Sequence, residues 1–176
     1  MSTLYKNLLG TEFLQLSPLL QQFHTEQAQP WQGEAAVSWS KNPLIRLCLK
    51  LGGLPKEASQ QPVMVSVTGD TRHEIWHRTF GNQHMLSRQK LSGQSLYECF
   101  GPITLALDNR VQQGALHQSS PHSKLLGLPL PHLFRLKITA REWQEDERFN
   151  FDVEIRLANL SLIRYIGWLT PQNRAA

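Results

Sequence analysis

The plainest signal in the chain is an alternation. Phe149, Phe151, Val153, Ile155 and Leu157 are separated by Arg148, Asn150, Asp152, Glu154 and Arg156. That period of two places one face of a strand on a core and leaves the other in water. The same period runs through Val63, Val65 and Val67 and through Ile103, Leu105 and Leu107. Between such stretches, pairs rich in glycine cut the chain at short intervals: Gly69-Asp70, Gly81-Asn82, Ser92-Gly93 and Gly101-Pro102. These turns delimit strands over His73–Phe80, Gln83–Leu91, Gln94–Phe100 and Ile103–Asn109. His132–Glu142 precedes the strand that begins at Arg148, across an acidic turn, and Leu162–Leu169 follows it. With an early strand over Glu34–Ser40, about ten short strands are predicted, joined as hairpins rather than as βαβ units.

Helical periodicity is confined to the first third of the chain. Leu4, Leu8 and Leu9 share a helical spacing that ends at Gly10. Ser17-Pro18 is an N-cap and first-turn pair ahead of Leu19, Leu20 and Phe23. Asn42-Pro43 opens a further helix, whose Leu44, Leu47, Cys48 and Leu51 form an apolar stripe of the kind that faces a core, and Gly52-Gly53 closes it.

A long meander of hairpins must curl, and closing it removes its exposed edges. The expected fold is therefore mainly β (α+β): an antiparallel up-and-down barrel or half-barrel of about ten strands. Residues 1–25 form a helical N-terminal segment, residues 34–170 form the barrel, and one helix follows the first strand. This order is similar to that of intracellular lipid-binding barrels of the calycin type, in which the helix would lid the barrel mouth. A helix-grip cavity is the alternative fold, and the lack of a long C-terminal helix after Trp168 counts against it.

Composition narrows the class. A chain of 176 residues suits one domain and can bury about 70% of its unfolded surface without staples. Hydrophobic residues at 40% and charged residues at 18% exclude disorder and a coiled coil. The formal charge is +4, but Lys41, Arg46, Lys50 and Lys56 are spread along the sequence and Arg135, Lys137 and Arg141 lie near acidic neighbours. Nucleic acid is therefore not an expected partner. Cys48 and Cys99 are far apart with no CxxC, which predicts two buried, reduced thiols. The N-terminus lacks the basic and apolar regions of a secretory signal, and no run approaches the ~20 apolar residues of a membrane span. The expectation is a cytoplasmic protein.

Motifs for common chemistry are missing: there is no GxSxG, HExxH, P-loop or GxGxxG. His73 and His77 share a strand face but stand about 13 Å apart at ~3.3 Å per residue. His117, His122 and His132 have no partner cysteines. Neither a metal site nor a cofactor is expected.

What does stand out is charge on apolar faces. The face of Trp76 and Phe80 carries Arg78, that of Leu96 and Phe100 carries Glu98, and that of Phe134, Leu136 and Ile138 ends in Glu142. An unpaired buried charge costs several kcal/mol, so Glu98 or Glu142 is expected to pair with Arg78. The pair is either a structural tie between strands or the polar contact point of an otherwise apolar ligand cavity. Asp152, on the polar phase of its strand, faces solvent or pairs with Arg141 across the hairpin.

Several short motifs recur together. They are Trp76-His77-Arg78-Thr79-Phe80-Gly81, Glu98-Cys99-Phe100-Gly101-Pro102, the Leu125–Pro131 corner, Glu142, Phe149-Asn150-Phe151-Asp152-Val153, and Tyr165-Ile166-Gly167-Trp168-Leu169. In this order the chain resembles an uncharacterised bacterial family, domain of unknown function 4166, from Leu4-Tyr5 to Pro171. Members of that family also occur fused behind saccharopine-dehydrogenase-like domains. The resemblance thus implies an accessory or interaction domain with a dehydrogenase-like protein partner as one alternative. A cavity enzyme using buried carboxylates is another. The leading expectation is a barrel that binds a small apolar or lipid-like molecule, contacted by Trp76, Arg78, Glu98, Phe134, Glu142 and Tyr165.

Overall fold

The computed structural model describes residues 3–27, 29–131 and 134–172. Three short helical pieces come first: α1 (Leu4–Leu9), a 3₁₀ segment over Gly10–Gln15, and α2 (Pro18–Phe23). Strand β1 (Trp31–Trp39) and helix α3 (Pro43–Leu51) lead into a meander. It runs through β2 (Ala58–Gly69), β3 (His73–Phe80), β4 (Gln83–Ser92), β5 (Ser95–Phe100), β6 (Ile103–Gln112) and β7 (Ala115–Leu125). A two-residue β8 (Leu128–Pro129) precedes β9 (Leu136–Glu145), β10 (Arg148–Leu157) and β11 (Leu160–Pro171).

Each long strand pairs antiparallel with its neighbour in sequence, β7 pairs β9, and β11 returns to β1. The result is a closed up-and-down barrel of ten strands, with β8 attached to the end of β7 outside the ring. The expected hairpins are present, most of them longer than the sequence pattern marked. The exception is the polar stretch around Leu116–Ser123, which shows no clean alternation yet forms β7. The strand expected over His132–Glu142 starts at Leu136 instead, and His132 lies outside the described residues.

Closure depends on two glycines. Across the seam Gly33 on β1 pairs with Leu169, and Gly167 on β11 pairs with Ala35. A Cβ on Gly33 would fall on the Trp168 carbonyl, and one on Gly167 would meet the Glu34 carbonyl and the Phe151 ring. Only residues without a side chain let the two backbones approach this closely as the sheet bends.

An up-and-down barrel has two rims. The first carries the connections after β2, β4, β6 and β9, including the tight turn Gln113-Gly114, both at positive φ (52° and 77°), as a type I′ hairpin turn requires. The N-terminal segment seals this rim. Leu4, Tyr5, Leu20 and Phe23 are buried in the core. Asn7 Nδ2 donates to the Thr71 carbonyl (3.1 Å), Ser17 N–H to the Gly114 carbonyl (2.9 Å), and Leu19 N–H to Gln144 Oε1 (3.0 Å).

The second rim carries α3 and the connections after β3, β5, β7 and β10. Here two expectations fail. Helix α3 is capped as predicted, with Asn42 Oδ1 accepting from the N–H groups of Leu44 and Ile45, but it does not turn its Leu stripe to the core. Leu49 is buried and Ile45 half-buried, whereas Leu44 and Leu51 are 72% and 79% exposed, and Leu47 and Cys48 are exposed beside them. The helix has two apolar faces, and only the narrower one packs. Cys48 is therefore not the buried thiol expected, and Cys99 is half-buried; both are free.

The seam supplies a direct test. Gly167→Ala is expected to lower the unfolding free energy by ~1–3 kcal/mol or more, as overpacking does, in urea denaturation. An unchanged midpoint would show that β1 and β11 can separate to admit a methyl group.

Candidate functional site

Inward-facing positions of β3, β4 and β5 bring Arg78, Ser87 and Glu98 together inside the barrel. Arg78 Nη1 donates to Ser87 Oγ (2.7 Å) and Nη2 to Glu98 Oε1 (3.3 Å), while Ser87 Oγ donates to the same Glu98 oxygen (2.7 Å). The guanidinium also lies 4.7 Å from the centre of the Trp76 ring. The side chains of Arg78 and Glu98 are 12% and 8% exposed. Of the two carboxylates expected to face Arg78, Glu98 is the partner. Glu142 instead meets His24 of the N-terminal segment, Nε2 to Oε2 at 2.8 Å.

Tyr165 stands in the same interior, its ring against Phe80 (5.5 Å) and Phe151 (6.3 Å). It is 6% exposed, and its hydroxyl makes no hydrogen bond among the described residues. Burial, with the nearby Arg78 charge opposing, pushes its pKa up to about 12, so it is a neutral phenol at neutral pH. Phe134 does not join the others. It precedes β9, on the second rim, and is 59% exposed. Asp152 pairs with Arg164 on β11 through two hydrogen bonds of 2.8 and 2.6 Å rather than with Arg141.

A second set of buried polar groups surrounds the end of the plug. Tyr5 donates to Gln89 Oε1 (3.1 Å) and accepts from Gln118 Nε2 (3.2 Å), which also donates to Asn109 Oδ1 (2.7 Å). Burial and the charges of Glu142, Glu74 and Glu98 push the Tyr5 pKa well above the usual tyrosine value. Glu74 accepts from Trp76 Nε1 (3.2 Å) and Gln27 Nε2 (3.4 Å). Burial raises its pKa, and the His24 charge and these hydrogen bonds oppose the shift. Glu74 lies in the same alternation as Trp76 and Arg78, so face analysis was sufficient to find it. Tyr5 and His24 are on helices whose position over the barrel no local pattern encodes.

A cavity of about 60 Å³ remains between the two polar sets. Val65, Phe80, Phe100, Ile138 and Phe151 wall it, and Arg78, Glu98, Gln118, Glu142 and Tyr165 reach it. The lining loosens toward the second rim: on β10, Phe149 and Phe151 are buried, but Val153 and Ile155 are half-buried. One wall is also split there. Strands β7 and β9 pair only over Leu116–Ser119. Beyond that, two serine hydroxyls stand in for the ladder: Ile138 N–H donates to Ser120 Oγ (3.2 Å) and Leu136 N–H to Ser123 Oγ (3.1 Å). Among the described residues no three His, Cys, Asp or Glu side chains gather to hold a metal ion.

The profile of the family described as "Domain of unknown function (DUF4166)" matches residues 16–169. The chain belongs to this family. None of the curated proteins matches it. Among solved structures it is similar to a crystal structure from Nostoc punctiforme, a protein of unknown function from the DUF3598 family, at a TM-score of 0.51 and 11% identity. The match covers 82% of this chain and 47% of that one, so the DUF4166 chain spans about half the length of the protein it resembles. At this identity the likeness is one of fold.

Two measurements test the electrostatics of the interior. Arg78→Met strands the Glu98 carboxylate and is expected to cost ~3–5 kcal/mol, with most of it recovered in Arg78→Met/Glu98→Leu. Equal losses in the single and double variants would show that the stranded carboxylate carries no penalty of its own. For Glu74, the folded pKa lies above the unfolded one. Its contribution to stability is therefore fully present below the unfolded value of about 4.3 and is lost as pH rises through the folded value. Glu74→Gln should gain on the wild type in urea unfolding as pH rises above the unfolded value, and a gap that narrows with pH would contradict this assignment.

Proposed function

We propose that this protein is a binding module that takes a small molecule with an apolar body and a neutral polar end into the barrel interior. The observation that carries the reading is the hydroxyl of Tyr165, which makes no hydrogen bond among the described residues and belongs to a side chain lining a largely apolar cavity, beside an ion pair with unused hydrogen-bonding capacity. Buried polar groups are normally satisfied, and a few convergent polar groups in an apolar pocket are how small-molecule sites are built.

Charge sets the class of the polar end. Glu98 neutralises Arg78 at short range, and Glu142 adds a second carboxylate bonded to His24. A free carboxylate ligand would face these two acids, whereas a hydroxyl, carbonyl or amide would complete the bonding of Tyr165 without new charge. Size sets the body. At ~10–15 Å³ per water, the cavity holds a few waters, well under the ~300–1,000 Å³ of sites for drug-sized molecules. A compact apolar body suits the closed barrel. A lipid-like chain needs more room, and the split between β7 and β9 is where the wall has the fewest ladder bonds to lose.

Isothermal titration with phenol, cyclohexanol and benzoate, alongside native mass spectrometry, tests this reading. Saturable 1:1 binding is expected for the neutral ligands over the carboxylate. Tyr165→Phe should weaken it by roughly 2- to 10-fold, the loss of one hydrogen bond. If no ligand binds and the purified chain carries no additional mass, the proposal fails.

A further inference from the structure

The exposed apolar side chains are not spread evenly over the barrel. Leu44, Leu47 and Leu51 project from α3, Leu126, Leu128 and Phe134 from the connection between β7 and β9, and Leu160 from the start of β11. All seven lie at the second rim. In the ring, the β1–β2 connection that holds α3 lies nearly opposite the β7–β9 connection, and the β10–β11 turn falls between them. These seven thus stand around the loosened end of the barrel, while Met64, Ile75, Leu86, Leu125 and Ile166 are exposed along its strands and Leu14 at the opposite rim.

Charge follows the same division. Helix α3 and its flanks carry Lys41, Arg46, Lys50 and Lys56, and Lys124 and Arg135 bracket the β7–β9 loop; Glu57 is the one acid among them. Arg46 is occupied, pairing with Glu57 at 2.8 Å. The other five make no ion pair among the described residues. The first rim is acidic by comparison, with Asp70, Glu145, Asp146 and Glu147 against Arg72 and Arg148 at the same turns. The modest net charge of +4 is therefore the sum of two unlike ends.

We infer that the second rim docks on the surface of an anionic phospholipid bilayer. A helix with leucines on its outward side and cations flanking them is built to lie in the headgroup region. Lysines near an anionic leaflet add attraction that decays within a Debye length. Three apolar projections around one rim define a plane, the shape of a bilayer surface rather than of a groove for a peptide. The unpaired cations select the anionic lipid. Docking in this way does not require the cavity to hold a ligand, so it stands or falls separately from the binding reading above.

Co-sedimentation of the full chain with vesicles of phosphatidylcholine alone, or mixed with phosphatidylserine, tests the inference. Binding is expected only to the mixed vesicles and should weaken as salt rises. Leu44→Ser/Leu47→Ser/Leu51→Ser, which removes exposed groups and leaves Leu49 in place, should reduce partitioning by at least ~10-fold, equivalent to about 1.4 kcal/mol. Lys41→Gln/Lys50→Gln/Lys56→Gln should do likewise, and Leu14→Ser at the opposite rim should change nothing. Circular dichroism melts check that each variant is folded. Three results would overturn the inference: no binding to anionic vesicles at low salt, binding indifferent to the leucine variant, or a dimer in light scattering that the leucine variant dissolves.

Discussion

Ten strands closed into a ring enclose more space than their own inward side chains fill. Diameter grows with strand number, and about eight strands give an interior that side chains just occupy. Every distinctive feature of this chain answers that constraint. At the first rim the space is filled by α1, the 3₁₀ segment and α2, which insert Tyr5, Leu20 and Phe23 among the barrel aromatics, Phe23 stacking on Phe149 at 4.3 Å. In the middle it is occupied by long polar side chains from the wall itself. Toward the second rim it is left partly open, and the cavity is what remains.

Filling a barrel with polar groups carries a desolvation cost, and the interior is arranged so that most of it is offset. Arg78, Ser87 and Glu98 close a triangle of hydrogen bonds, His24 meets Glu142, and Gln89 and Gln118 hold the Tyr5 hydroxyl from two sides. Well-packed apolar residues often stabilise as much as a buried ion pair does. The polar core is therefore a costly way to gain stability alone, which fits the proposed binding role. The plug and the polar core are also one unit, because Tyr5 and His24 belong to the plug while their partners belong to the wall.

The two rims divide the labour. The first is sealed and acidic, tied down by the bonds from Asn7, Ser17 and Leu19 to barrel turns. The second has an incompletely laddered wall between β7 and β9, half-buried lining residues, and leucines and lysines facing outward.

The hairpin order, the starts of α2 and α3 and the faces of β3, β5, β9 and β10 were all legible in the sequence. They rest on local rules: alternation of period two, turn residues, and Ser or Asn ahead of Pro. The same rules placed Arg78, Glu98 and Glu142 on inward faces. What they could not decide is which elements meet. Arg78 takes Glu98 rather than Glu142 because β3 and β5 are separated by one strand, while Glu142 lies across the ring within reach of His24. Phe134 fell outside the site because β9 begins two residues after it, and α3 turned its broader leucine stripe outward because periodicity marks faces without saying which one packs. The scattered lysines became one rim only when closure brought the α3 connection and the β7–β9 loop to the same end. Local chain stereochemistry therefore determined the elements and their faces. Ring closure, a long-range packing event that local periodicity does not encode, decided the partners, the plug and the polarity of the two ends.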